Sequence, residues 1–329
     1  MAKQKYYAVR QGRKPGIYTT WDECKAQVDG IASIYKSFPT LEEAEAFMNS
    51  DAIPLGAKKA MKSAQNKSSA SRDEVLSSIY LGSDEVGKGE PFSMLFAVAC
   101  YATEEGIAYL RELGADKDSK KFANVDAKEV AEAGQLITGF SSIEEVENKV
   151  YANRKKGIFY SVYGLSNTEY NKIHSAGINA NQILSIAHNR AQKALYLFLA
   201  KENIGAKYFV IDNFMGEYDY LFNTRYLLGE EEPITKIAGT EVVLEAKAES
   251  KYPLVAAASV IGSYIEQLYH TSVRDRLEAD GVNSDIFRFG NTTSEINACF
   301  KEIEKSYGRL DNSPVDFKKT EHYKRYIAK

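Results

Sequence analysis

The stretch GAKKAMKSAQNKSSASR, residues 56–72, has no aromatic or β-branched residue and no helical apolar stripe. Such a segment cannot bury enough surface to offset the entropy of ordering it, so it should join no core. The chain must then fold as two separate units. A small domain is expected over residues 1–50, a flexible basic linker over 51–76 and a large domain over 77–329. The length of 329 residues agrees, at about 150 residues per domain.

Charge follows the same division. Residues 1–38 hold seven Lys/Arg against three acids, 39–55 hold four acids and no base, and 56–72 hold five bases and no acid. Residues 73–329 hold 30 bases against 38 acids, so the net charge of −3 conceals a basic head and linker on an acidic body. That asymmetry suits a head that holds a polyanion while the body does chemistry on it. With 44% hydrophobic and 26% charged residues, a collagenous, disordered or disulfide-stapled chain is excluded. No apolar run approaches the roughly 18 residues of a membrane span. Cys24, Cys100 and Cys299 are too scattered for a zinc site, and their odd number fits a reducing compartment. A cytoplasmic chain without membrane contact is expected.

In the head, Tyr6 to Arg10 and Ile17 to Thr19 read as a hairpin around a turn at Gly12 to Gly16. Thr20 caps a helix, Ile34 to Phe38 alternates as a third strand, and Thr40 with Glu43 opens a last helix through Met48. The head is a three-stranded α+β module. In the body, Ser78–Ser83, Phe92–Tyr101, Gly157–Tyr163 and Tyr208–Ile211 read as strands, and Ile178 to Glu202 carries a helical period. Strand and helix alternate, so the body is α/β.

Asp84 and Glu85 follow one strand, Asp212 follows another, and Glu249 precedes the small-residue helix Val255 to Val260. Acids at strand ends are where open α/β sheets place their chemistry. Four carboxylates from three distant segments could converge on hard divalent cations, and two such ions would suit hydrolysis of a phosphodiester. His174, His188, His270 and His322 read as structural, since metal-activated water needs no histidine base.

Gly82-Ser83-Asp84-Glu85-Val86-Gly87-Lys88-Gly89, Asp118-Ser119-Lys120-Lys121, and Ala248-Glu249-Ser250-Lys251 leading into Ala256-Ala257-Ala258-Ser259 resemble the motifs of type 2 ribonucleases H in order and spacing. Asn179-Ala180-Asn181-Gln182, His188-Asn189, and Glu249 where ribonuclease HII has aspartate make the body similar to ribonuclease HIII. The resemblance implies a ribonuclease H fold, a mixed sheet flanked by helices. It also implies endonucleolytic cleavage of the RNA strand of RNA/DNA hybrids, leaving 5′-phosphate and 3′-hydroxyl ends. Asp84, Glu85, Asp212 and Glu249 match the family's catalytic, metal-binding acids, with Asp84 bridging two ions, Mg²⁺ or its substitute Mn²⁺. Gly87, Lys88 and Gly89 match the turn that approaches the ribose. Ser119, Lys120 and Lys121 match a phosphate-contacting motif. After Gly89 the chain reads Glu90-Pro91-Phe92-Ser93-Met94, where the family continues with an acid, an aromatic and a glycine-proline pair.

Tyr6-Tyr7-Ala8-Val9-Arg10, Gly12-Arg13-Lys14, Gly16-Ile17-Tyr18 and Thr20-Trp21-Asp22-Glu23-Cys24, with Phe38, resemble the hybrid-binding domain of ribonuclease H1 over about residues 5–48. This implies a substrate-binding surface at Tyr7, Trp21 and Lys36, with RNA/DNA hybrid and double-stranded RNA as partners and the chain a monomer. Two other readings are a ribonuclease HII-like enzyme nicking at single ribonucleotides and a non-catalytic hybrid-binding protein.

Overall fold

A computed structural model of the chain describes residues 5–29, 34–49, 70–116, 127–176, 178–213, 240–283 and 293–328. In the head, β1 (Tyr6–Gln11) lies between β2 (Gly16–Tyr18) and β3 (Ile34–Phe38), both antiparallel to it. Helix α1 (Trp21–Val28) starts where Thr20 Oγ1 accepts the Glu23 amide at 3.3 Å, and α2 (Leu41–Asn49) where Thr40 Oγ1 accepts the Glu43 amide at 3.2 Å. Alternation along β1 divides the small core. Ala8 packs with Ala44 and Phe47 of α2, and Val9, on the other face, with Cys24 and Val28 of α1.

The body begins earlier than its sequence suggests. Residues 72–76, read as linker, form α3 (Arg72–Leu76), whose Val75 is fully buried in the body's core. Arg72 Nη2 also donates to the Lys251 carbonyl at 3.1 Å. Five residues are too few to display a helical period, and the sign the sequence does carry is the cap, Ser71 three residues before Glu74, whose amide its Oγ accepts at 3.2 Å.

Six strands follow in the order β6-β7-β5-β4-β8-β9: β4 (Tyr80–Val86), β5 (Leu95–Ala102), β6 (Val150–Asn153), β7 (Ile158–Leu165), β8 (Tyr208–Asp212) and β9 (Glu241–Glu245). The first four positions in that order pair antiparallel, and β4, β8 and β9 run parallel, so the sheet is mixed. The helices are α4 (Glu104–Glu112), α5 (Ala127–Thr138), α6 (Asn167–Ser175), α7 (Ala180–Lys201), α8 (Pro253–Ala279), α9 (Thr293–Tyr307) and α10 (Glu321–Ile327). Tyr80, Val98, Cys100 and Val210 face α5 and α8, while Leu81, Ala97, Ala99 and Ile211 face α7. Among the described residues no helix is long and apolar enough to cross a membrane.

Two local details position the site. A Cβ on Gly82 would lie 2.3 Å from the backbone of Leu254 and of Val255, so β4 and α8 cross with their main chains in contact. Residues Val255 to Ala258 are fully buried there, which explains the run of small side chains. The departure from the family's wording at Glu90 to Met94 also has a packing reason. Phe92 is buried against Phe300 and Phe317, with ring centroids 5.1 and 6.1 Å away, joining the turn after β4 to a C-terminal aromatic cluster.

Candidate active site and nucleic-acid surface

The strand expected to end at Ser83 continues through the acids, because β5 keeps pairing beyond it, Asp84 with Val98 and Glu85 with Ala97. Asp84 and Glu85 are therefore strand residues, and pleating sends them to opposite faces of the sheet. Asp84 meets the α8 side, where the Ser259 hydroxyl bonds its carboxylate. Glu85 meets the α7 side, where His188 Nε2 lies 3.0 Å from its Oε2.

The other acids arrive from the parallel half of the sheet. Pairing of Ser83 with Ile211 puts Asp212, the last residue of β8, beside Asp84. Its Oδ1 accepts the Ala248 amide at 3.0 Å, which pins the 3-10 turn Ala248–Ser250 to the strand end. Glu249, 7% exposed, is carried on that turn to the same end of the sheet. Burial, then the negative charge of Glu85 and more weakly that of Asp212, raises the Asp84 carboxyl well above the usual carboxylate range, against the Ser259 bond. Oxygen-donor acids brought to one end of a sheet suit a hard divalent cation, whose charge would offset that repulsion. Among the described residues no three His, Cys, Asp or Glu side chains stand close enough together to hold an ion.

Gly87 adopts φ +77°, and a Cβ there would lie 1.9 Å from the Met94 carbonyl, so the turn after β4 admits only glycine at this point. Lys88 Nζ stands 3.9 Å from Glu85 Oε1, and Gly89 is exposed. Beneath the turn lies a residue that sequence reasoning missed. Lys318, fully buried, donates from its ammonium to the Gly87 carbonyl and from its amide to the Pro91 carbonyl at 2.7 Å. Burial lowers its pKa to about 7, opposed by the nearby Glu266 and Glu90. Asn171 holds the same segment, donating to the Phe317 carbonyl at 2.8 Å and accepting the Lys319 amide at 2.7 Å. Ser119, Lys120 and Lys121 lie outside the described residues.

On the head, Trp21 is 43% exposed, with its ring centroid 5.7 Å from Tyr7 and 5.9 Å from Tyr35. Tyr35 completes a three-ring surface that the sequence reading left at two. Lys36 is exposed but pairs with Ala8 in the β1–β3 register, so it leaves from the opposite face to Tyr7, with Nζ 5.3 Å from the Phe38 ring centre.

The ribonuclease HII family matches residues 81–284, and the ribonuclease H1 N-terminal domain family matches residues 5–48. Ribonuclease HIII of Streptococcus gordonii is 31% identical over 244 residues, which cover 70% of this chain and 72% of that protein. Ribonuclease HIII of Listeria monocytogenes is 28% identical over 261 residues, covering 78% and 70%. The crystal structure of Bst-RNase HIII in complex with Mn²⁺ shares the fold at a TM-score of 0.57 and 22% identity, over 90% of this chain and 85% of that one. The chain belongs to the type 2 ribonucleases H as a ribonuclease HIII-like enzyme, with a ribonuclease H1-type N-terminal domain in front of the nuclease body.

Proposed function

We propose that this ribonuclease H cuts the RNA strand of RNA/DNA hybrids endonucleolytically with two divalent ions, leaving 5′-phosphate and 3′-hydroxyl ends. The observation that carries this reading is the arrival of Asp84, Glu85, Asp212 and Glu249 at one end of the mixed sheet, in a body of the ribonuclease HIII family. Asp84, with Glu85 next to it on β4 and Asp212 beside it on β8, would hold the ions together with Glu249. Mg²⁺ is the physiological ion and Mn²⁺ its substitute; Bst-RNase HIII was solved with Mn²⁺. When bound, such ions lower the pKa of a water and stabilise charge on the leaving 3′-oxygen.

The protein's own residues orient the substrate. The Gly87-Lys88-Gly89 turn brings backbone close to a 2′-hydroxyl, the group that separates RNA from DNA. Ser119, Lys120 and Lys121 take phosphates. Tyr7 and Trp21 stack on the wide minor groove of a hybrid or an RNA duplex, and Lys36, on the opposite face of the sheet from Tyr7, adds charge at longer range. The basic head and linker raise the effective concentration of substrate at the acids. The chain acts as a monomer, in a cytoplasm that keeps its three buried cysteines reduced.

The test is cleavage of a continuous RNA/DNA hybrid against a DNA duplex with one embedded ribonucleotide, with Mg²⁺, Mn²⁺ or EDTA. Cuts within the ribonucleotide run, abolished by EDTA, are expected, with little action on the single site. Efficient nicking 5′ to the single ribonucleotide would favour the ribonuclease HII reading, and binding without cutting the non-catalytic one.

A further inference from the structure

His188 projects from α7 with no exposed surface. Its Nδ1 is 2.7 Å from Ser83 Oγ and its Nε2 is 3.0 Å from Glu85 Oε2. Ser83 and Glu85 are two residues apart on β4, so pleating points both at α7, and the imidazole spans the gap between them. The hydrogen-bond partners assign the ring. A carboxylate oxygen only accepts, so Nε2 carries the hydrogen and donates to Glu85 whether the ring is neutral or cationic. Nδ1 then meets a hydroxyl, which can accept from it or donate to it. Both ends of the ring are held, and one oxygen of Glu85 has a fixed donor.

Lys88 Nζ approaches the other oxygen, Oε1, only to 3.9 Å, from a half-exposed and movable side chain. The two oxygens of Glu85 thus differ: Oε2 is within hydrogen-bond distance of a buried ring, and Oε1 is the one that the half-exposed Lys88 approaches. We infer that His188 is a positioning residue of the nuclease, holding Glu85 by Oε2 so that Oε1 is presented to a divalent cation, with Ser83 fixing the ring. The inference rests on reading Glu85 as a cation-holding acid. Partners that orient a ligating side chain typically contribute about 10–100-fold to metal affinity or activity.

The experiment measures, on the full chain, Mn²⁺ binding by calorimetry without substrate, kcat and KM on a hybrid, and the melting temperature in EDTA. His188→Leu should weaken Mn²⁺ binding and lower kcat by about 10–100-fold with KM unchanged. His188→Gln, whose amide nitrogen can stand where Nε2 stood, should recover most of both. Ser83→Ala should lose severalfold, since the ring keeps its bond to Glu85 but not its anchor. If the Leu variant does not fold, the Gln and Ser83→Ala variants carry the test: Mn²⁺ affinity at the wild-type value in Ser83→Ala, with only the melting temperature lowered, overturns the inference. Equal Mn²⁺ affinity in folded Leu and Gln variants overturns it too, because the donor would then not matter. Glu85→Gln separates the premise: Mn²⁺ binding unchanged by that substitution shows instead that Glu85 holds no ion.

Discussion

Trp21 in the head is 43% exposed and leans on two tyrosine rings, while His188 in the body has no exposed surface and is bonded at both ring nitrogens. Both have a role in the reading proposed above, and their surroundings differ as those two tasks would require. A sugar–phosphate surface without sequence preference is met well enough by flat rings and mobile charge, which lose little by being exposed. Cation chemistry needs atoms held to a few tenths of an ångström, which exposed side chains do not provide. The head should therefore tolerate change with graded losses of affinity, and the body should respond with loss of chemistry or of the fold.

The sharpest way to break that contrast is to remove one carboxylate charge. Asp84→Asn and Asp212→Asn should take cleavage to the detection limit of a hybrid assay, while hybrid binding, measured by gel shift, persists through the head. The Asp84 variant should also melt at a higher temperature than wild type in EDTA. The folded carboxyl has a raised pKa, so its charged form costs stability once the pH exceeds the unfolded value; the variant's advantage grows as pH rises from the unfolded pKa to the raised one and is gone below the unfolded value. A variant that binds hybrid poorly, or that melts lower in EDTA at every pH, contradicts this account.

Next in size is Lys318. Lys318→Met leaves the Gly87 carbonyl without the buried ammonium that donates to it and should cost about 1–3 kcal/mol in denaturant unfolding. Lys36→Met, on the exposed face of the head, should stay within about 0.5 kcal/mol. Comparable losses from the two would erase the difference between the domains. Trp21→Ala comes third, raising KM by the equivalent of about 1–3 kcal/mol with kcat and the body's melting unchanged. A protein shortened to begin at Ala70 should do the same more strongly and keep kcat. The smallest effect is Thr20→Ala, which removes the cap of α1 and should cost the head about 1 kcal/mol, read from the amide exchange of that helix.

The sequence made the strands legible where they are apolar and the acids legible through the motifs around them. Asn179 and Gln182, noticed as family wording, turn out to be a capping box that starts α7 and so sets where His188 falls. The rest was hidden for identifiable reasons. β6 (VYAN) is a short edge strand with little apolar signal, and β9 (EVVLE) is bounded by charge at both ends. The strand through Asp84 and Glu85 looked finished at Ser83 because acids disfavour strands; pairing with β5 overrides that preference. His188 and Lys318 lie 103 and 231 positions from their partners Glu85 and Gly87, and no local pattern encodes such contacts. The separation of Lys36 from Tyr7 was readable, since adjacent strand residues alternate, but only once the register with Ala8 was known.

The main-chain contact between Gly82 and α8 acts as a fixed gauge. Side chains between two elements can be exchanged for larger or smaller ones, and the elements shift to suit; here there is none to exchange. At that crossing the stand-off between the strand bearing Asp84 and the helix that follows Glu249 is set by peptide groups. Retuning such a site, whether by evolution or by an engineer, has to use the reach of the acids themselves. In the proposed site, the choice between glutamate and the shorter aspartate at position 249 would be a change of that kind.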